Sequence, residues 1–405
     1  MIKQDPDFRA RLRQAGEAAA TLPPPGAAAQ ALSRELAARI AGAIADAGGW
    51  LPFWRYMEMA LYTPGLGYYS AGSRKLGAAG DFITAPELSP LFSRTLARAL
   101  QPVLAAGGRD GILEVGAGSG IMAADMLAQL AADDALPARY RILETSAELR
   151  QRQQQTLNRR VPALAARVQW CEDLPADFEG VILANELLDA LPAQRFVIEA
   201  GEVRELGVAC REGAFFWRSG PAAARLRRRV RRIERETGQP FAEGYVSEVS
   251  FAAEDWLQSA ARGLRAGLIL LIDYGQPRAV YYHPQRNRGT LTCHYRHRMH
   301  EDPFFWPGLQ DITAHVDFTA IADAALEAGL AVSGYTTQAH FLLGSGITGW
   351  LAEETDPRRQ LELGSQIKQL TLPQEMGETF KVMGLGRGCD VPLPGFALQD
   401  MRDRL

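Results

Sequence analysis

The sequence predicts an α/β fold: a mostly parallel sheet with helices on both faces, an N-terminal helical cap, and an inserted β-hairpin and helix subdomain. Three observations predict it. Short apolar runs alternate with helix-length runs from Gly111 to Asn185, the order of parallel strands joined by crossover helices. Three alternate glycines, Gly116, Gly118 and Gly120, sit between the first such strand and its helix, with Glu114 ending the strand. Finally, the consecutive apolar residues Leu268 to Ile272 mark a strand buried on both faces.

The elements follow in order. Pro23-Pro24-Pro25-Gly26 separates a short N-terminal helix from a longer one ending at Gly48-Gly49. Leu51 to Gly80, with Tyr56, Tyr62, Tyr68 and Tyr69 among turn residues, reads as loop-dominated. Thr84-Ala85-Pro86-Glu87 fits a capping box for a helix running to about Leu100. Strands are expected at Gly111 to Val115, Tyr140 to Glu144, Arg167 to Cys171 and Gly180 to Asn185, with helices at Ser119 to Ala131 and Ala147 to Arg159. Phe196 to Trp217 reads as short antiparallel strands inserted before a helix. Gly267 to Tyr274 returns as a strand, Thr319 to Ala328 as a helix, and Ala331 to Gln338 and Thr379 to Leu385 as closing strands. This divides the chain into a cap (1–100), the first half of the sheet domain (101–195), an insertion (196–262), the second half with substrate-side loops (263–390) and a tail (391–405).

Composition narrows the partners. The chain has 405 residues and a net charge of −3, so it has no overall bias toward nucleic acid or anionic lipid. Cys171, Cys210, Cys293 and Cys389 form no C-x-x-C pair and read as buried free thiols in a reducing compartment. Met1 to Arg13 lacks the apolar core of a secretory signal, and no run is long enough to cross a bilayer. A cytoplasmic protein without membrane insertion is expected.

The glycine loop carries the chemistry. Glycine lets the backbone turn sharply after a strand and lets a ligand approach where a Cβ would clash, while the next helix presents its first amides. Glu114 selects among ligands: a carboxylate repels a dinucleotide phosphate and attracts a sulfonium or an amino-acid ammonium. The dinucleotide pattern G-x-G-x-x-G would also need glycine where Ile121 stands, which argues against a nicotinamide oxidoreductase. Glu144, ending the next strand, suits ribose hydroxyls, and Asp173-Leu174 suits the adenine amino group and ring.

Asn185-Glu186-Leu187-Leu188-Asp189-Ala190-Leu191-Pro192 follows the fourth strand, where parallel sheets place ligands. Asn185 can accept from a nitrogen substrate; Glu186 and Asp189, three apart on a helix, would share a face and hold a guanidinium. The plainer alternative is a helix start whose acids complement the dipole. Asp273-Tyr274-Gly275 points to the same ligand face, and Asp311 to Phe318 reads as a structured loop leading into a helix. His294, His297, His300 and His315 reproduce no metal-ligand set, so no metal is expected. Arg225 to Arg235 reads as a solvated basic helix face.

The glycine loop and Glu144 resemble the class I, Rossmann-like S-adenosylmethionine-dependent methyltransferases. Further motifs narrow the resemblance: Tyr62-Thr63-Pro64-Gly65-Leu66-Gly67-Tyr68-Tyr69, Gly80-Asp81-Phe82-Ile83-Thr84-Ala85-Pro86-Glu87, Ala184-Asn185-Glu186 with Asp189-Ala190-Leu191-Pro192, Asp273-Tyr274-Gly275, and Asp311 to Phe318. Together they resemble the MidA family, whose mitochondrial members are complex I assembly factors described as protein arginine methyltransferases, over about Ala31 to Arg387. The resemblance implies S-adenosyl-L-methionine as cofactor and an arginine side chain of a protein as acceptor. It also implies that Asp81 and Thr84 form a lid over the cofactor. Glu114, Gly116, Gly118, Gly120, Glu144, Asp173 and Leu174 then stand on the cofactor side, and Asn185, Glu186 and Asp189 on the catalytic side. The rival reading is a cofactor-binding assembly chaperone without turnover, docking through Leu51 to Tyr69 or the basic helix. The target protein and the oligomeric state, a homodimer included, are not written in the sequence.

Overall fold

The computed structural model describes residues 22–70 and 84–405. Helix α1 (Ala27–Asp46) leads to strand β1 (Leu51–Pro52), helix α2 (Phe53–Tyr62), the single turn α3 (Ala85–Leu88) and helix α4 (Pro90–Gly107). The sheet domain begins with β2 (Gly111–Val115), α5 (Ile121–Ala132), β3 (Tyr140–Leu143), α6 (Ala147–Arg160), β4 (Val168–Cys171) and β5 (Phe178–Asn185). The insertion holds β6 (Gln194–Glu199), β7 (Glu202–Arg211), β8 (Ala214–Pro221), α7 (Ala224–Thr237), β9 (Val246–Val249) and α8 (Phe251–Gly263). There follow β10 (Leu264–Gln276), α9 (Arg278–Tyr281), β11 (Thr292–Tyr295), β12 (Arg298–His300), β13 (Asp311–Thr313) and β14 (Val316–Asp317). The chain closes with α10 (Phe318–Glu327), β15 (Ala331–Thr337), α11 (Gln338–Gly344), α12 (Gly349–Glu353), α13 (Pro357–Thr371) and β16 (Phe380–Arg387).

The main sheet runs β15-β16-β10-β5-β2-β3-β4, with β14 beside β10. The pairs from β10 to β4 are parallel and β16 is antiparallel to both neighbours, so the expected mostly parallel sheet is observed. Strand alternation sorts the core into two layers. Leu268, Leu270 and Ile272 face the cluster formed with α4, α5, α11 and α13, whereas Ile269 and Leu271 face the cluster formed with α8 and α10. The inserted strands make an all-antiparallel sheet, β1-β7-β6-β9 with β8 on β7, so the chain before the sheet domain contributes an edge strand to the insertion. The tail packs back as well, with Phe396 in the main core and the Met401 amide donating to the Tyr335 carbonyl at 2.6 Å.

Three local expectations are corrected. Residues 53–62 are helical rather than looped, because Phe53, Tyr56, Met57, Ala60 and Leu61 recur at helical spacing and are all buried. Aromatic residues at that period form a core stripe. The capping box at Thr84 is not made: its side chain caps nothing, and the chain breaks at Ser89, which is extended before Pro90. Ser89 then caps α4 by accepting the Leu91 amide at 3.1 Å. Of the cysteines, all free, Cys293 is buried while Cys171, Cys210 and Cys389 are half-buried.

Candidate active site

A cavity of about 270 Å³ opens at the carboxyl ends of β2, β3 and β5, where parallel sheets bind ligands. Its wall brings together the glycine loop, the start of α6, the turn after β5, the tyrosines that follow α2, and His294, Asp311 and Thr313 of the small β12-β11-β13 sheet.

The loop has the backbone its glycines allow. Gly116, Gly118 and Gly120 have φ of 70°, 52° and 80°, the left-handed region that costs an ordinary residue about 1–2 kcal/mol. A Cβ on Gly120 would stand 3.0 Å from the Gln153 backbone in α6. Gln153 holds the loop from that side, donating to the Gly118 carbonyl at 3.2 Å and to Glu144 at 3.1 Å.

Glu114 is fully buried at the tip of β2. One oxygen accepts the Tyr140 hydroxyl at 2.6 Å, and the other has no partner among the described residues. Burial lifts its carboxyl to about 7 against the lowering effect of Tyr140. Glu144 also lines the cavity and accepts the Ser146 amide at 2.9 Å; burial raises its carboxyl too, opposed by that amide and by Gln153. Thr84 is on the wall, whereas Asp81 lies outside the described residues. Asp173 is exposed and absent from the wall, and Leu174 packs half-buried against the core.

Asn185, Glu186 and Asp189 converge on the far wall, in a turn rather than on the expected helix. The cause is Asp273, whose Oδ2 accepts the amides of Leu187, Leu188 and Asp189 at 3.2, 2.8 and 3.4 Å. Gathering three amides on one carboxylate curls the chain away from the helical path, and Glu186 takes φ 51°. Asn185 Nδ2 donates to Glu186 at 3.1 Å, while Asn185 Oδ1 and Asp189 Oδ1 have no partner among the described residues. Loss of solvent, then the charge of Asp273, raises the Glu186 carboxyl to about 8. Asp189 is held well above the usual range by burial and then by Asp273, Asp311 and Glu186.

Several residues here escaped sequence reasoning. Tyr69 donates to Asp311 at 2.9 Å, Tyr62 donates to the Ala190 carbonyl at 2.9 Å, and their rings stack 5.5 Å apart. Together with Tyr274 they line the cavity beside the acids. The tyrosine run and the segment beginning at Asp311 were visible as motifs, but their convergence depends on tertiary structure. The wall carries Glu87, Glu114, Glu144, Glu186, Asp189 and Asp311, and no lysine or arginine among the described residues.

Residues 95–336 match the model of the family described as "Putative S-adenosyl-L-methionine-dependent methyltransferase". The chain belongs to this family. The mouse mitochondrial protein arginine methyltransferase NDUFAF7 is 30% identical over 82% of this chain and 79% of its own. The fruit-fly homolog is 28% identical over 88% and 85%. Among solved structures, a Burkholderia thailandensis protein bound to S-adenosyl-homocysteine is 47% identical, with a TM-score of 0.90 over 95% of this chain and all of that one. This methyltransferase therefore uses S-adenosyl-L-methionine. Its residues fit that donor: the unpartnered Glu114 oxygen suits an ammonium, and the bare backbone at Gly116 leaves room that a side chain would fill.

Proposed function

We propose that this methyltransferase transfers methyl to an arginine side-chain nitrogen of a protein, with a complex I subunit or an analogous polypeptide as target. It works in the cytoplasm and inserts into no membrane; no helix among the described residues is long and apolar enough to cross one. The observation that carries the acceptor assignment is the gathering of Glu186, Asp189 and Asp311 on one cavity wall with Tyr62, Tyr69 and Tyr274. Carboxylates supply acceptors for the several N–H groups of a guanidinium, and aromatic faces favour its planar charge. The arginine names of the mitochondrial relatives point the same way.

The donor supplies a methyl on a positively charged sulfur. The side chains supply placement. Glu114, Gly116, Gly118, Gly120 and Glu144 hold the donor side, with Thr84 on the same wall, while Asn185, Glu186 and Asp189 hold the guanidinium at the near-attack distance. As the nitrogen–carbon bond forms and the carbon–sulfur bond breaks, the electron pair goes to sulfur, and the nitrogen must lose a proton. Glu186 and Asp189 localise the guanidinium charge on the nitrogens that do not attack, and one of the two carboxylates accepts that proton. Asp173 and Leu174, off the wall, receive no role in this assignment.

The test is to incubate lysate from cells lacking the gene with the enzyme and isotopically labelled donor, then sequence labelled peptides by mass spectrometry. Label on arginine of a discrete polypeptide is expected. Label confined to lysine or glutamine would replace the acceptor, and donor binding without any labelled polypeptide would favour an assembly chaperone.

A further inference from the structure

Glu114 is hydrogen-bonded to a core residue that does not line the cavity. Tyr140 on β3 is fully buried, its hydroxyl 2.6 Å from Glu114 Oε2 and 3.7 Å from Met126 Sδ on α5. Its ring belongs to the main core, beside Ile112 and Ile142. Tyr140 is not on the cavity wall, so it acts only through its partner. The geometry is asymmetric: one Glu114 oxygen is fixed by the Tyr140 hydroxyl, and the other, also buried, has no partner among the described residues.

We propose that Tyr140 is a positioning residue for the methyl donor: by holding one oxygen of Glu114 from inside the core, it presents the other as a charged acceptor to the donor's ammonium. This rests on the reading that Glu114 faces that ammonium. A buried carboxylate without a nearby cation tends to take up a proton, and a protonated acid no longer attracts a cation. A hydroxyl donor favours the ionised form, which needs acceptors, over the neutral acid. Tyr140 is the titratable group that bears on Glu114 among the described residues; the thioether of Met126 carries no charge, and Asp125 on the same helix pairs with Arg160 at 2.7 Å. Burial alone would carry the Glu114 carboxyl higher than its value of about 7. Donor affinity is thus set by an ionisation inside the cell's pH range, and Tyr140 fixes where in that range it lies.

The experiment is calorimetric titration of S-adenosyl-homocysteine into wild type, Tyr140→Phe and Glu114→Gln across neutral pH. Dividing each affinity by that of Glu114→Gln at the same pH cancels titration of the ligand's own amine. Wild-type affinity is expected to fall roughly tenfold from about pH 8 to about pH 6. In Tyr140→Phe, which keeps the ring and its packing, the same fall should occur about one pH unit higher, and affinity should recover in alkali. A Tyr140→Phe curve that overlies wild type, or lies below it by one constant factor at every pH, overturns the proposal, because a merely structural residue would act that way. Should Glu114→Gln instead bind like wild type with the same pH slope, the reading of Glu114 itself fails, and that outcome is distinct.

Discussion

Asp273 Oδ2 accepts the Leu188 amide at 2.8 Å, the shortest of its three contacts beneath the turn after β5. Its other oxygen takes the Tyr274 amide at 2.9 Å, so the hydrogen bonds it accepts among the described residues all come from backbone. Asp273→Asn would set an NH2 group against one of these N–H groups, and a charged acceptor would become a neutral one. The expected loss is about 2–4 kcal/mol of stability, seen as a lower denaturation midpoint. Turnover should fall more than S-adenosyl-homocysteine affinity, since the turn carries the proposed acceptor residues Glu186 and Asp189. Equal losses in both would show that Asp273 holds the whole sheet edge.

Glu186 and Asp189 are expected to separate binding from transfer. Glu186→Gln and Asp189→Asn keep shape while removing charge, so donor affinity should stay within about threefold, whereas methyl transfer should drop on the order of a hundredfold. Single-turnover rates with labelled donor measure it. A variant that transfers methyl at the wild-type rate removes that residue from the acceptor site.

The mostly parallel α/β sheet was legible because its signals are local. Strand alternation, the two-sided apolar run at Leu268 to Ile272, and a glycine loop next to Glu114 each lie within a few residues of chain. The acceptor side was less legible. Glu186 and Asp189 were singled out, yet as a helix face, because the carboxylate that bends them into a turn stands 84 residues away from Asp189 in sequence. Tyr62, Tyr69 and Asp311 reach the cavity from α2 and β13, and no periodicity encodes that meeting. Burial of Phe53 to Leu61 was hidden for a related reason: an aromatic, turn-flanked stretch reads as loop until its helical period is counted.

The glycines should differ in severity. At Gly116 an added Cβ meets only Leu187 Cδ1, the far end of a flexible side chain, at 3.3 Å. At Gly120 it meets backbone at 3.0 Å in a helix that cannot retreat. Gly116→Ala is therefore expected to cost about 1–2 kcal/mol through its positive φ and to weaken donor binding in a folded protein. Gly120→Ala should cost more and lower the melting temperature further. Gly116→Val, with its branch beside the loop, should abolish donor binding. Unchanged calorimetric affinity there would remove the loop from the donor pocket.

The buried acid that serves the donor should also set how stability depends on pH. Unfolded, Glu114 ionises near its ordinary value of 4.5; folded, it does so at about 7. Because the folded value is the higher, the protonated acid's contribution to stability is complete below about pH 4.5 and is lost as pH rises through about 7. The full span is on the order of 3 kcal/mol. Glu114→Gln keeps an acceptor for Tyr140 and has no proton to lose, so its stability relative to wild type should improve from pH 5 to pH 8 in donor-free denaturation curves. A constant difference between the two proteins across that range would mean that Glu114 titrates normally. Saturating S-adenosyl-homocysteine should flatten the wild-type slope, because a bound ammonium offsets the ionised carboxylate, and it should leave the variant's slope unchanged.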